Sequence, residues 1–325
     1  MPELIAGFDA GQTHTRCRLA LLEAPGRWRV VAQGEGPGVS HLDAPGGEPR
    51  FSAALQQSLA AAVAQLEHSG GREDPALAAA AIGASGIEAG SSVQPRGQQL
   101  AAQALQLPPS RIVVTGDERT ALEGARGEHT DGILLISGTG CIALGCNAAG
   151  QLHRCGGWGW LLDGAGSAMD IGRDGLALSL QMADGRQPDT ALRPALWQAL
   201  GLASDAADAP QAIKGLVVQP AFGAAGFARL APVVHAQAAA GDAQALAIVQ
   251  RSADALAAMA SAIAQRLQLQ RPPVWTSGGA IDHLKLLRQG LETALSLTCP
   301  GARLAEADGD GCDGALRLAS RLLLP

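Results

Sequence analysis

The sequence predicts an α/β protein of two domains, and three observations support this prediction. The chain has 325 residues, the length of two domains of average size. Hydrophobic residues make up 47% of it and charged residues 17%, so it can bury a sizeable core. A strand, a Gly-Thr turn and a second strand occur twice, around Thr13 and around Thr139. A repeat of this length predicts two α/β units that open in the same way.

In the first copy, apolar runs predict strands and apolar residues spaced three and four apart predict helices. Leu55, Leu59, Ala62 and Leu66 form one such helix face. Pro108 and Pro109 end a second helix. Strands are predicted over 4–9, 15–22, 28–33, 77–84 and 111–115, and helices over 51–66, 98–107 and 118–125.

The second copy has fewer predicted strands and more predicted helix. Strands are predicted over 132–136, 141–147 and 273–276, and helices over 167–181, 193–200, 243–269, from His283 onward, and 313–323. We predict a first domain over 1–127, with the C-terminal helix 313–325 packing back on it, and a second domain over 128–312.

Charge and cysteine content exclude several classes of protein. The 24 basic and 30 acidic residues give a net charge of −6, which argues against a nucleic-acid-binding protein. The six cysteines lack the close pairing of a small secreted scaffold. The N-terminus has no basic and apolar leader, and no apolar run approaches the roughly 18 residues of a membrane span. We expect a cytoplasmic protein that binds a small molecule, not nucleic acid or a membrane.

The two Gly-Thr turns are candidate phosphate-binding turns. Asp9-Ala10-Gly11-Gln12-Thr13 and Ser137-Gly138-Thr139-Gly140 each follow a buried strand. Glycine lets backbone N–H groups approach a phosphate, and the threonine hydroxyl adds a donor. Asp9 could hold Mg²⁺ through water. One such turn alone is as consistent with an ordinary turn, but two favour a polyphosphate site; no Walker loop occurs in the sequence.

Three further segments are candidate site elements. Gly278-Gly279, after the late strand, could hold a nucleotide base or ribose, although an ordinary turn is favoured on position alone. Asp117 could be a general base for phosphoryl transfer, but on position alone a helix N-cap is favoured. The glycine-rich loop with Trp158 and Trp160, from Cys155 to Ser167, could lie along a sugar.

Together these motifs resemble the N-acetylglucosamine kinase branch of the BadF/BadG/BcrA/BcrD ATPase family, within the sugar kinase/Hsp70/actin superfamily. The motifs that carry the resemblance are Asp-x-Gly-x-Thr, Leu-Ile-Ser-Gly-Thr-Gly, Gly-Gly-Trp-Gly and Ser-Gly-Gly, in this order over nearly the whole chain. The resemblance implies two RNase H-like (actin-like ATPase) lobes with ATP and sugar in the cleft between them. It also implies ATP-dependent phosphorylation of the 6-hydroxyl of an amino sugar, N-acetylglucosamine or glucosamine, with Mg²⁺ as cofactor.

The resemblance assigns roles by position. Asp117 becomes the general base and also contacts the sugar. ATP-binding residues are Asp9, Gly11, Thr13, Gly138, Thr139, Gly140, Gly278 and Gly279, with Asp9 also on the metal. Sugar-binding residues are Ser40, Ser85, Gly86, Gly156, Gly157, Trp158 and Asp163. A homodimer is compatible with the resemblance.

The chain departs from the family pattern at three places. Asp163-Gly164-Ala165-Gly166-Ser167 stands where the family has Gly-Asp-Glu-Gly-Ser, so the acidic pair is missing. Ser40 stands where an Asn is common, and His14 where a Lys or Arg is common. These departures bear on which sugar is bound more than on phosphoryl transfer.

Two other functions remain open at this point. One is an ATP-driven activator of a dehydratase, with an iron–sulfur cluster held by cysteines across a dimer. Cys141, Cys146 and Cys155 are close in sequence, but Cys141 and Cys146 fall in one predicted strand and point to opposite faces. The other is a sugar sensor without catalytic activity, which the missing acidic pair would fit and the retained Asp117 would not.

Overall fold

The structure is a computed structural model that describes residues 3–24, 26–68, 76–203 and 207–324. Its contacts divide the chain into two compact units. The first unit consists of Met1–His129 together with Ala307–Pro325, and the second consists of Thr130–Glu306.

The first unit contains five strands and four α-helices in its described residues. They are β1 (Glu3–Ala10), β2 (His14–Ala24), β3 (Arg27–Pro37), α1 (Gly47–His68), β4 (Leu77–Ala84), α2 (Gln94–Leu105), β5 (Ile112–Thr115), α3 (Asp117–Arg126) and α12 (Gly311–Arg321). A short 3₁₀ turn, Pro109–Arg111, joins α2 to β5. The strands and helices predicted for this part of the chain are confirmed, with ends that differ by a few residues.

The strands of the first unit form one mixed sheet in the order β3-β2-β1-β4-β5. The strands β1, β2 and β3 pair antiparallel, whereas β1, β4 and β5 run parallel. Side chains of β1 alternate between two cores: Phe8 packs with α1, and Ile5 packs with Leu316 of α12. The sheet is therefore covered by helices on both faces.

The second unit repeats the strand arrangement with more helix. Its elements are β6 (Gly132–Ser137), β7 (Cys141–Cys146), β8 (Leu152–Gly156), α4 (Ala168–Ala183), α5 (Leu192–Ala199), α6 (Ala209–Val217), α7 (Gly223–Ala228), α8 (Ala231–Ala239), α9 (Ala243–Leu267), β9 (Pro273–Ser277), α10 (Gly279–His283), α11 (Lys285–Thr298) and β10 (Arg303–Leu304). Starting from β8, the sheet order is β8-β7-β6-β9-β10. It matches the order β3-β2-β1-β4-β5 of the first sheet strand for strand. The α/β class and the internal repeat are confirmed.

The long helix α9 is the central helix of the second unit. It is the one helix in the described part of the chain whose length and composition would suit a membrane span, and half of its most apolar stretch is buried inside the protein. Leu256, Ala260 and Ile263 of α9 belong to the same core as Ile133 of β6. The apolar face of α9 is thus accounted for by the core that it packs into.

Several short elements of the second unit were not predicted. They are β8, β10, α6, α7, α8 and α10, and the helix expected from His283 is α11, which begins at Lys285.

Helices α3 and α12 touch at two glycines. A methyl group added at Gly314 would overlap the carbonyl oxygen of Thr120, and one added at Gly124 would overlap the carbonyl oxygen of Asp310. Only glycine allows the two backbones to approach this closely. The contact fixes the start of α12 against the helix that begins with Asp117.

We predict that Gly314→Ala destabilises the protein by about 1–3 kcal/mol or more, because the added methyl meets backbone that cannot move aside. The measurement is the free energy of unfolding in urea. The matched control is Gly215→Ala in α6, where an added methyl meets nothing within 4 Å. Alanine favours the helical conformation over glycine, so the control should be neutral or stabilising by up to about 1 kcal/mol. Equal effects of the two substitutions would contradict the close packing.

Candidate active site

The parallel strands of the first unit end at one edge of the sheet. Asp9 near the end of β1 is level with Gly83 of β4, and Gly83 is level with Thr115 of β5. Ser85 and Asp117 follow the ends of β4 and β5. Side chains from three strand ends are therefore gathered at the same edge, where α/β sheets commonly bind ligands.

The turn between β1 and β2 is tied to two neighbouring segments. The carbonyl of Gly11 accepts a hydrogen bond from the N–H of Val39 at 2.9 Å, and the carbonyl of Ala10 accepts one from the N–H of Ser85 at 2.9 Å. Thr13 in the turn is exposed. Ser40, which follows Val39, is brought beside the same turn by these bonds.

Gly86 lies against the segment that carries Ser40. A methyl group added at Gly86 would lie 3.2 Å from Cδ2 of His41, and the backbone of Gly86 has a φ of +81°. The structure therefore brings together Asp9, Gly11, Thr13, Ser40, Ser85 and Gly86 at one edge of the first sheet.

Asp117 is not the N-cap of α3. The N-cap is Gly116, which makes no side-chain capping bond, and Asp117 is the first helical residue. Its Oδ1 accepts a hydrogen bond from the N–H of Glu118 at 3.0 Å. The N-cap role that position alone favoured for Asp117 is therefore wrong. Its carboxylate lies at the sheet edge, where it makes no capping bond.

The pKa of Asp117 is raised above the ordinary value of an aspartate. The largest cause is burial, which disfavours the charged carboxylate, and the second is the negative charge of Asp9. A carboxylate with a raised pKa is a stronger base, and groups perturbed in this way cluster at functional sites.

The carboxylate of Asp9 is held by an arginine that the sequence did not suggest. Nη2 of Arg16 donates to Oδ2 of Asp9 at 2.6 Å. Nη1 of the same guanidinium donates to Oδ2 of Asp310, the N-cap of α12, at 3.0 Å. Arg16 and Asp310 are 294 positions apart, so no local sequence signal could have paired them.

In the second unit, the Gly-Thr turn lies against the first turn of α4. The carbonyls of Gly138 and Thr139 accept hydrogen bonds from the N–H groups of Ala168 and Met169, at 2.9 and 3.3 Å. The N–H of Gly138 bonds the carbonyl of Gly140 at 2.9 Å, which closes the turn. The side of the turn that carries Thr139 and Gly140 is exposed.

Gly278 packs directly on this turn. It has a φ of +109°, and a methyl group added to it would lie 2.6 Å from the carbonyl oxygen of Ser137. Because β6 and β9 are parallel neighbours, with Ile136 level with Ser277, the turns after both strands meet at one edge. This edge is the counterpart of the one that carries Asp9 in the first unit.

A cavity of about 500 Å³ opens beside these two turns. This volume is within the range of about 300–1,000 Å³ that is typical of small-molecule sites. Its walls include Gly138, Thr139 and Gly279. The remaining wall is mostly small or apolar: Ala168, Ala221, Ala225, Ala228, Arg229, Ala231, Pro232, Ala280, His283 and Leu284. Arg229 and His283 supply polar groups that no motif in the sequence had singled out.

The tryptophan loop begins where β8 ends. Gly156 and Gly157 have φ values of 76° and 77°, a conformation that favours glycine at these two positions. Arg154 donates to the carbonyls of Gly156 at 3.0 Å and Gly157 at 2.6 Å. Its guanidinium also stacks on the ring of Trp158, 4.5 Å from the ring centre.

The rest of this loop is largely exposed. Trp158 is 62% exposed and Leu162 is 87% exposed. The N–H of Asp163 bonds the carbonyl of Gly159 at 2.8 Å, and its carboxylate lies near the start of β7, where it helps to raise the pKa of Cys141. Ser167 then caps α4 by accepting the N–H of Asp170 at 3.2 Å.

The cysteines have the environment of buried thiols. Burial, and secondarily the charge of Asp163, raise the pKa of Cys141 to about 12. Its Sγ lies 3.2 Å from the carbonyl oxygen of Ala165. A thiol that stays protonated is a poor metal ligand. Within residues 3–24, 26–68, 76–203 and 207–324, no group of three or more His, Cys, Asp or Glu side chains could hold a metal ion.

The model of the BadF/BadG/BcrA/BcrD ATPase family matches residues 6–316 of the sequence. The chain belongs to this family. The match spans both units and includes every residue of the two sheet edges described above.

Two relatives of this chain are named as sugar kinases. The chain is 26% identical over 211 residues to the N-acetylmuramic acid/N-acetylglucosamine kinase of Clostridium acetobutylicum, an alignment that covers 64% of this chain and 67% of the relative. It is 38% identical over 92 residues to the N-acetyl-D-glucosamine kinase of Dictyostelium discoideum, covering 28% and 29% of the two chains.

A solved structure from Chromobacterium violaceum, a candidate N-acetylglucosamine kinase, matches 99% of both chains with a TM-score of 0.70 and 28% identity. This likeness confirms the expected class, in which each of the two sheets belongs to an RNase H-like lobe.

We predict that Asp117→Asn stabilises the metal-free protein at pH 8. The pKa of Asp117 is higher in the folded than in the unfolded state, so the charged carboxylate costs folding free energy above that pKa. As the pH falls, Asp117 becomes protonated in both states and the cost disappears. The gain in Tm from the substitution should therefore be positive at pH 8 and shrink as the pH falls through the raised pKa toward the ordinary value of 3.8.

The measurement is thermal unfolding of both proteins in EDTA-containing buffer across this range. Asp43→Asn is the control, because a neighbouring arginine, Arg96, lowers the pKa of that exposed carboxylate. A Tm difference for Asp117→Asn that grows as the pH falls would contradict the raised pKa.

Proposed function

We propose that the protein transfers the γ-phosphoryl group of ATP to the 6-hydroxyl of an amino sugar, with Asp117 as the general base. The observation that supports this most is the placement of Asp117. It is a partly buried carboxylate at the edge of the first sheet, it is not a helix N-cap, and its pKa is raised. The relatives of the protein are named as N-acetylglucosamine and N-acetylmuramic acid kinases, and these names favour an amino sugar as substrate.

The proposed role of Asp117 follows from what phosphoryl transfer requires. The reaction needs little covalent help from the protein beyond positioning, charge stabilisation and acceptance of the hydroxyl proton. Asp117 would accept that proton on the oxygen not held by the N–H of Glu118. Its raised pKa brings its basicity closer to that of an effective general base.

The residues around Asp9 fit a hydrated Mg²⁺. Arg16 occupies Oδ2 of Asp9, and among the described residues no donor bonds Oδ1. A single free carboxylate oxygen at a strand end suits Mg²⁺, which keeps most of its water ligands. When bound, the ion would neutralise charge on the transferring phosphate.

The second unit would hold the nucleotide. Thr139 and Gly140 offer an exposed hydroxyl and backbone to phosphate, with Gly138 beside them. The cavity next to this turn has small and apolar walls that suit the flat face of adenine, and Gly278 and Gly279 would flank the adenosine. Gly11 and Thr13 of the first unit would contact phosphate as well.

Sugar contacts are proposed for residues of each unit separately. Ser40, Ser85 and Gly86 lie at the edge that carries Asp117. Gly156, Gly157, Trp158 and Asp163 belong to the tryptophan loop, whose exposed ring and backbone suit a sugar face. We further propose that the enzyme acts in the cytoplasm on N-acetylglucosamine or glucosamine.

We predict that Asp117→Asn lowers kcat by about 10²–10⁴-fold, because the variant cannot accept the hydroxyl proton. Its affinity for ADP should stay within about twofold of the parent, since a general base on the sugar hydroxyl contributes little to nucleotide binding. The measurements are steady-state phosphotransfer and titration calorimetry with ADP. A variant that keeps near-full activity would remove Asp117 from the mechanism.

Thr139→Val is measured in the same experiment, and it tests nucleotide binding where the Asp117 variant tests proton transfer. It removes the hydroxyl from the phosphate turn while keeping the shape of the side chain, so it should weaken nucleotide binding by about 1 kcal/mol or more. Phosphoryl transfer moves the γ-phosphoryl group from ATP to the sugar hydroxyl and releases ADP. Both variants should therefore impair this reaction, the Asp117 variant through kcat and the Thr139 variant through nucleotide affinity. Unchanged ADP affinity in the Thr139 variant would overturn the assignment of this turn.

A further inference from the structure

Arg16 joins two carboxylates that come from opposite ends of the sequence. It lies on β2, directly across from Asp9 in the antiparallel register. Its guanidinium donates one N–H to Asp9 at 2.6 Å and another to Asp310 at 3.0 Å. A planar fork of this kind fixes the direction of both partners as well as their distance.

The partner on α12 is itself held rigidly. Oδ1 of Asp310 accepts the N–H groups of Cys312 and Asp313 at 3.0 and 3.1 Å, and Oδ2 of Asp313 accepts the N–H of Asp310 at 3.1 Å. Both oxygens of Asp310 also accept bonds of 3.1 Å from Arg18. Asp310 therefore cannot turn away from Arg16 without breaking the capping box of α12.

The carboxylate of Asp9 has few other constraints. Arg16 is the only donor to it among the described residues. Gly311, the first residue of α12, leaves room for the carboxylate, since a methyl group added there would lie 3.0 Å from Cγ of Asp9. The direction in which Oδ1 points thus depends on the bond between Oδ2 and Arg16.

We propose that Arg16 is a positioning residue for Asp9, and that Asp310 at the start of the C-terminal helix holds Arg16 in turn. The proposal rests on the proposed function in one respect, namely that Asp9 faces the metal–nucleotide complex. Arg16 ties up Oδ2 and leaves Oδ1 as the oxygen that would face a hydrated Mg²⁺. The start of the C-terminal helix would therefore help to prepare the metal site through Arg16.

The competing explanation is that these ion pairs only stabilise the fold. The Arg16 and Asp9 side chains are 36% and 25% exposed, and an ion pair as exposed as this contributes at most about 1 kcal/mol to stability. A purely structural role would lower Tm without changing the Mg²⁺ dependence of nucleotide binding. A positioning role changes that dependence.

The test compares Arg16→Lys, Arg16→Gln and Asp310→Asn with Arg317→Gln. Lysine keeps the charge but cannot bridge two carboxylates as a fork. Asparagine at position 310 keeps the helix cap and weakens the hold on Arg16. Arg317 lies on the same helix and pairs with Glu128 at 2.8 Å, away from Asp9, so it is the matched control.

For each protein, ADP affinity is measured by calorimetry as a function of free Mg²⁺, together with Tm and with the Mg²⁺ dependence of turnover. Loss of a residue that orients a metal ligand typically costs roughly 10–100-fold in metal affinity. We expect a shift of this size in the Mg²⁺ midpoint for both Arg16 variants, a smaller shift for Asp310→Asn, and none for Arg317→Gln.

An Mg²⁺ midpoint that stays within twofold of the parent in a folded Arg16→Gln protein would overturn the proposal. So would full rescue by lysine, because charge alone would then suffice. These binding readouts remain valid if the parent phosphorylates no sugar, so a failure of the proposed function and a failure of this proposal are separate results.

Discussion

The first unit brings two carboxylates to one edge because three of its strands run parallel and end at the same level. Asp9 and Asp117 are far apart in sequence, and the register of β1, β4 and β5 alone makes them neighbours. Placing the two carboxylates close together disfavours the charged form of Asp117, and burial and the charge of Asp9 both raise its pKa. The ion pair with Arg16, beside the start of α12, stabilises the charged form of Asp9. The remainder of the first unit can be understood as the framework that holds this arrangement.

The close contact of α3 and α12 belongs to the same constraint. Asp117 begins α3 and Asp310 precedes α12, so the glycines that let these helices touch also hold Asp310 close to the helix that begins with Asp117. The chain must return from the second unit to complete this packing. A helix from the C-terminus therefore completes the edge of the first unit whose other residues, from Asp9 to Asp117, lie within the first 117 positions.

The sequence was informative where a local pattern has one physical meaning. Strands around the two Gly-Thr turns and the long helices α1 and α9 were predicted because their apolar spacing is regular. The strand β8 was missed because Leu152–Gly156 contains His and Arg in place of an apolar alternation. Helices α6 to α8 were missed because alanine, glycine and proline leave no clear apolar face, although Pro210 and Pro232 fall in first turns, where proline is favoured.

Sequence reasoning about the site was limited by long-range packing. On position alone it favoured a capping role for Asp117, which only the resemblance to the kinase family turned into a general base, and the structure shows that Gly116 occupies the cap. It singled out Asp9 but not Arg16 or Asp310, since an isolated arginine on a strand gives no signal of its partners. Six of the thirteen residues that line the cavity beside Thr139 are alanines, which composition alone cannot distinguish from the many others in this chain.

Phosphorylation of an amino sugar at its 6-hydroxyl is the reaction on which the proposed roles of all these residues depend. It is tested by ADP release from Mg-ATP with N-acetylglucosamine, glucosamine, N-acetylmuramic acid, N-acetylmannosamine, glucose or buffer alone, followed by NMR of the product. We expect release well above buffer with N-acetylglucosamine or glucosamine and a product that carries phosphate on the 6-oxygen. ADP release that no sugar increases, or a phosphate on the anomeric oxygen, would contradict the proposed reaction.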